Sequence, residues 1–389
     1  MNRHGAARHD SHGGVIFSVS PFFALVLTLS VVEPVPSLQR SSAPAPAVSE
    51  PPAGGPSMVT DAVPPGRVEA RQLARRAFSA YEHGDYEQAL ADYTKAIRLD
   101  SGRAALYNNR AAARLAKKDE AGALADYTEA LRLDPTSALA HYGRGLVWHG
   151  RKEYDRAIAD LSEALLRSPK LAEAYNNRGL VWHDKRDYDR AVADFNEALR
   201  LNPESAWVYN NRGNSREAQN DPERALNDYS EALRLDPSYV KAYNNRGQLR
   251  ALEGHYAAAL EDYGAAIRLD PRGSRGYRGR AWILATSPDA TLRDGKSAVS
   301  DATRACEWSG WNDPEALATF AAAQAEAGNF AAAVAWQTKA IARLSPGSAQ
   351  RNRFQSRLAL YQAGKPYHEP SPGPSASRPR RRQKASWRS

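Results

Sequence analysis

Landmark residues recur every 34 positions through most of this chain, and a period of that length decides the architecture before composition does. Tyr107, His141, Tyr175, Tyr209, Tyr243 and Tyr277 form one such series, and Ala89, Ala123, Ala157, Ala191, Ala225 and Ala259 form another. Within a unit the landmarks have helical spacing. Tyr175, Gly179 and Trp182 stand at i, i+4 and i+7, and Ala191, Phe195 and Ala198 repeat that pattern downstream. Asp187 stands where an N-cap belongs, and in the next unit Asp221 takes that place, followed by Pro222 at the first helical position. Pro203 prevents the second helix from continuing. Each unit is therefore expected to be a helix, a tight turn and an antiparallel helix.

With Ala172 as position 1, positions 4, 8, 11, 20, 24, 27 and 32 hold Tyr175, Gly179, Trp182, Ala191, Phe195, Ala198 and Pro203. This pattern resembles the tetratricopeptide repeat family. The resemblance implies an all-α fold, a right-handed α-solenoid of about eight helix-turn-helix units with a C-terminal capping helix. Six units in register fall near 70–103, 104–137, 138–171, 172–205, 206–239 and 240–273. A seventh, 274–312, carries extra residues around "SPDATLRDG", and an eighth spans 313–347. The solenoid is thus expected over 67–347 and the capping helix over 348–367, with a basic tail, 368–389, read as disordered. Solenoids of this family are general protein-interaction scaffolds, so the resemblance implies a protein or peptide partner without naming it.

Composition narrows the alternatives. The formal charge of +9 is partly local, since "RPRRRQKASWR" near the end holds six basic residues and no acid. That tail is read as solvated, or as weakly contacting an anionic membrane surface or nucleic acid; an adaptor working through it is the alternative function. Cys306 is the only cysteine, which excludes an internal disulfide or a multi-cysteine metal site, and it is expected to be buried and inert. Residues 1–14 form a short basic segment, 15–32 an uncharged apolar run, and 33–66 a Pro/Ala/Ser-rich linker expected to be unstructured. The run reads as a retained membrane anchor or a cleaved signal, placing the repeats outside the cytoplasm; the alternative is a cytoplasmic protein with a buried segment.

An arginine recurs at position 7: Arg76, Arg110, Arg144, Arg178, Arg212, Arg246 and Arg280. An aspartate recurs on the second helix with the same regularity: Asp92, Asp126, Asp160, Asp194, Asp228, Asp262 and Asp301. The eighth unit changes both, to Phe320 and Trp336. A joint switch points to contact, so these residues are expected to form Arg–Asp pairs, within a unit or across to the next, with a structural role.

The family's geometry implies that first helices line a groove through positions 2, 5, 6, 9, 12 and 13. Position 6 holds Asn109, Asn177, Asn211 and Asn245, while position 5 holds Asn108, Asn176, Asn210 and Asn244. The position-6 row is similar to the asparagine ladder of O-GlcNAc transferases, and an amide can pair with a peptide backbone whatever the side chain. Gly143 and Gly279 break the row. Leu146, His149, Leu180 and His183 make one stretch of the groove mildly apolar, and Lys241, Arg275 and Arg278 make another basic. An extended ligand with apolar side chains at one end and acidic groups at the other suits this pattern. His149 and His183 lie on successive repeats, about 10 Å apart, too far for roughly 2 Å bonds to one ion. No metal, cofactor or catalytic residue is expected. The oligomeric state is not legible.

Overall fold

A computed structural model of the chain describes residues 65–371. The expected basic segment, apolar run and almost all of the linker lie outside the described residues, as does the tail beyond Ser371. The described residues form 17 α-helices, one short 3-10 turn and no strand. They divide into two compact bodies, the first ending at Val181 and the second beginning at Trp182.

The first body contains α1 (Pro65–Glu82), α2 (Tyr86–Leu99), α3 (Ala104–Ala116), α4 (Glu120–Leu133), α5 (Ala138–Gly150), α6 (Tyr154–Arg167) and most of α7 (Ala172–Asp184). In it α1 packs on α2, α3 on α4 and α5 on α6, and across units α2 packs on α3 and α4 on α5. The second body contains α8 (Tyr188–Leu201), α9 (Ala206–Ala218), α10 (Pro222–Leu235), α11 (Val240–Leu252), α12 (Tyr256–Leu269), α13 (Ser274–Thr286), α14 (Gly295–Trp308), α15 (Pro314–Glu326), α16 (Phe330–Ala342) and α17 (Ala349–Gln362). The same alternation runs through it, and the first helices α9, α11, α13 and α15 also touch in succession.

Local chemistry explains the boundaries. Asp85, Asp119, Asp187 and Asp221 cap second helices, each accepting a hydrogen bond from the backbone N–H three residues on. The turn ahead of each cap needs one residue in the left-handed region, and Gly84, Lys118, Lys152, Arg186, Asn220 and Gly254 fill that place at 34-residue intervals. Four of the six carry a Cβ there, a strained choice for every residue but asparagine.

Alanine and aromatic residues make the core. Ala89, Ala123, Ala157, Ala191, Ala225 and Ala259 have no exposed surface, and Tyr93, Tyr127, Phe195 and Tyr229 are buried beside them. Gly213 lets α9 lie on α10, because a Cβ there would stand 2.7 Å from the Tyr229 ring. The insertion in the seventh unit folds into the turn Ala290–Leu292, where Arg293 donates to the Ser287 carbonyl at 2.8 Å.

After α17 the chain turns back instead of leaving the surface. The Glu369 N–H donates to the Thr286 carbonyl at the end of α13 (2.7 Å), and His368 Nε2 lies 2.7 Å from Glu326 at the end of α15. His368 and Glu369 therefore differ from the solvated tail expected from residue 368 onward. Their partners lie 42 and 83 positions back in sequence, beyond the reach of any periodic pattern.

Candidate functional site

The recurrent arginine and aspartate meet face to face. Arg110 donates to Asp126 from Nε (2.9 Å) and Nη2 (2.7 Å), and Arg144 reaches Asp160 at 2.8 Å with both groups. The same fork joins Arg212 to Asp228, Arg246 to Asp262 and Arg280 to Asp301. Arg76 clasps Asp92 at 2.5 and 2.6 Å, and the charged hydrogen bond holds the Asp92 carboxyl below its ordinary range. Arg178 spends Nη1 on the Ser162 hydroxyl (3.0 Å), and Asp194 is buried.

Two features of this network were not anticipated from sequence. Arg110, Arg178, Arg212 and Arg246 each use Nη1 to reach the preceding unit, at Thr94, Ser162, Asn196 and Ser230, over 2.7–3.2 Å. The arginine thus links units as well as helices, and the signal was a small polar residue recurring every 34 positions. A second arginine also closes on three of the carboxylates, Arg114 on Asp126 (2.9 Å), Arg216 on Asp228 (2.7 Å) and Arg250 on Asp262 (2.9 Å). In the third unit His141 takes that supporting place, 3.0 Å from Asp160.

The asparagines fall into two groups. Asn176, Asn210 and Asn244 at position 5 are buried, and so is Asn109 at position 6. Asn177, Asn211 and Asn245 are half-buried and reach the surface. Asn177 Nδ2 donates to Tyr142 Oη and to the Glu173 carbonyl, both at 2.9 Å, tying α7 to α5. Asn245 Nδ2 donates to Oδ1 of Asn210 and of Asn214, both at 3.0 Å, tying α11 to α9. At Gly143 and Gly279, where the row is interrupted, the ring of the preceding unit's tyrosine fills the space. A Cβ at either glycine would stand 2.3 Å from the ring of Tyr127 or Tyr263.

The remaining groove residues are distributed by character. Leu146 is buried and Leu180 half-buried. His149 packs on Tyr154 with centroids 6.2 Å apart, and His183 meets Tyr188 edge-on at 5.3 Å. Tyr81 and Tyr86 make the same contact in the first unit at 5.5 Å, so this ring pair is a repeating structural device. His183 Nδ1 also lies 2.8 Å from the buried Ser215 hydroxyl, and burial lowers the imidazole pKa from its ordinary value.

In the second body the polar groups form one connected line over α9, α10, α11 and α13. Tyr229 Oη lies 2.8 Å from both Glu217 Oε2 and Asn214 Oδ1. Asn214 accepts from Asn245, whose own Oδ1 accepts from Arg275 Nη2 at 3.3 Å. Burial raises the Glu217 carboxyl pKa, and burial together with the charge of Glu217 shifts Tyr229 up. Arg275 has an exposed side chain, yet close packing around its guanidinium, with the charge of Arg278 beside it, lowers its pKa. Arg278 pairs with Asp313 at 3.0 Å, and Lys241 is exposed.

Comparison with known proteins agrees with this architecture. Family models described as tetratricopeptide repeat match residues 74–138, 121–170, 172–205, 206–239 and 240–272, together about half of the chain. A tetratricopeptide repeat protein from Parabacteroides merdae is similar in structure, with TM-score 0.51 and 19% identity over 66% of this chain and 99% of that one. PilF of Pseudomonas aeruginosa gives TM-score 0.50 and 21% identity, over 56% of this chain and 99% of that one. At these identities the likeness is one of fold. No curated protein matches the sequence. The 34-residue period, the paired helices and the matching family models carry one conclusion: the chain belongs to the tetratricopeptide repeat family and is an α-solenoid with a protein-interaction architecture.

Proposed function

We propose that this protein is a non-enzymatic scaffold that holds an extended segment of a partner protein against its first helices, and that complex assembly is the purpose. The observation supporting this reading is the state of Arg275. Its only hydrogen bond among the described residues is the long one to Asn245; its guanidinium is closely packed and repelled by Arg278, and the Glu217 carboxylate attracts it without a hydrogen bond. A carboxylate placed there would relieve that repulsion and gain a charge-assisted bond. Asn245 and Asn211 stand on the adjoining first helices, with Lys241 exposed nearby. With its two amide hydrogens on Asn210 and Asn214, Asn245 has one acceptor site left on Oδ1 for a ligand's backbone N–H. The partner segment is therefore one with an acidic side chain or a terminal carboxylate at α11–α13.

The test is capture from the native organism's extract by the full chain, beside a variant carrying Asn177→Ala, Asn211→Ala and Asn245→Ala. A protein retained by the parent and lost by a variant with unchanged circular dichroism supports the reading. Identical catches by both would refute it. We further propose that residues 15–32 direct the repeats out of the cytoplasm, on the strength of their apolar composition. Fractionation of tagged cells tests this, and recovery in the cytosol would exclude it. No described helix is long and apolar enough to cross a membrane.

A further inference from the structure

The segment Lys365–Ser371 that follows α17 is seated on the second body in extended form, across the C-terminal ends of α15 and α13. Its last described residue, Ser371, lies at a surface depression lined by Gly254, His255, Tyr256 and Leu292, beside the end of α11. The contacts are those of a bound peptide. The Glu369 N–H donates to the Thr286 carbonyl, the one backbone bond between this segment and the helices it crosses. Residues two apart in an extended chain face the same side, and Tyr367 Oη accordingly donates to Glu369 Oε2 at 3.0 Å. The Tyr367 ring sits 4.7 Å from the Arg357 guanidinium, which lies 4.3 Å from the Trp282 ring on its other contact. Arg357 is thus nearly buried in an aromatic cage to which the segment contributes one wall. On the intervening residue, His368 meets Glu326, itself held by Arg293 at 3.0 Å. Main-chain pairing plus one aromatic and one polar anchor is how extended peptides are recognised.

We propose that Lys365–Ser371 is a built-in ligand filling a second peptide site, made by Trp282, Thr286, Glu326 and Arg357, and that the site's external partner is an extended segment with an aromatic residue followed directly by a histidine or another side chain that can donate to Glu326. The half-buried segment holds its place through the short tether to α17, which keeps its local concentration high. The site shares no residue with the Asn245–Arg275 line, so it stands or falls separately from the groove reading above.

The probe is a fluorescein-labelled peptide with the sequence Lys-Pro-Tyr-His-Glu-Pro-Ser, titrated by anisotropy. A chain stopped after Gly364 should bind it at least about ten-fold more tightly than a chain stopped after Ser371, since only the latter carries the competitor. Replacing tyrosine by alanine in the peptide should abolish that difference. Equal binding by the two chains, or none by the shorter one up to about 1 mM, would overturn the proposal. If the shorter chain fails to fold, the full chain with Tyr367→Ala and His368→Ala replaces it. That variant should bind the peptide better than the parent, and failure to do so would overturn the proposal equally.

Discussion

Arg246 grips Asp262 through Nε (3.1 Å) and Nη2 (2.7 Å) while its third nitrogen, Nη1, reaches Ser230 of the preceding unit at 3.1 Å. One side chain therefore fastens two helices of a unit to each other and to the unit before. The aspartate is buried, so the pair is costly to break rather than a large net gain over apolar packing. In the eighth unit the same space is filled by Phe320 and Trp336, with ring centroids 5.4 Å apart and Trp311 against both.

Arg280 and Asp301 test this relationship most cleanly, because no second arginine supports Asp301 among the described residues. Arg280→Ala should destabilise the second body by about 2–4 kcal/mol, from an orphaned carboxylate. The double change Arg280→Phe with Asp301→Trp should cost less than that single change. Urea unfolding of the three full-length proteins, followed by circular dichroism, gives the comparison.

The left-handed residue in each turn supplies a second prediction. Lys152 has φ +60°, where Gly254 of the sixth unit has φ +82°. Lys152→Gly should stabilise by about 0.5–1 kcal/mol, the relief of the Cβ clash less the added chain entropy. Gly254→Lys should shift the urea midpoint the opposite way.

Glu217 gives a pH dependence with a definite sign. Burial raises its pKa in the folded state above the ordinary value of 4.5, so its ionised form opposes folding at neutral pH. Glu217→Gln keeps an oxygen for Tyr229 and should raise the melting temperature at pH 7. As pH falls through the raised pKa to below about 4.5, Glu217 takes up its proton and the advantage should disappear. Paired thermal melts from pH 7 to pH 4 would show it.

Cys306 is completely buried, and burial pushes its thiol up to about 12. Thiolate is then scarce at pH 8 and inaccessible. Iodoacetamide should leave the folded chain unmodified over hours and label it within minutes in denaturing urea, as mass spectrometry would read. Rapid labelling of the folded chain would contradict the packing of α14.

The repeat was legible because its signals are local and recur: an alanine, a cap or a proline at a fixed interval states the same helix each time. The Arg–Asp contact was legible for a different reason, the joint change to Phe320 and Trp336 within one chain. Other features depend on geometry that spacing alone does not carry. Position 5 and position 6 are adjacent on the helix surface, and only packing against the next helix decides that Asn176, Asn210 and Asn244 turn inward. Nor does the position-6 register show that Asn109 is buried while Asn245 is half-exposed. The Tyr367–Arg357–Trp282 cluster joins non-periodic residues, so no repeat announces it.

The most direct test of the central claim is a selection of random displayed peptides on the full chain, with survivors re-bound to Arg275→Glu and Asn245→Ala variants that retain native circular dichroism. The account predicts acidic peptides whose affinity falls at least about ten-fold on Arg275→Glu and measurably on Asn245→Ala. Survivors without acidic residues, or acidic ones that bind both variants as well as the parent, would contradict it.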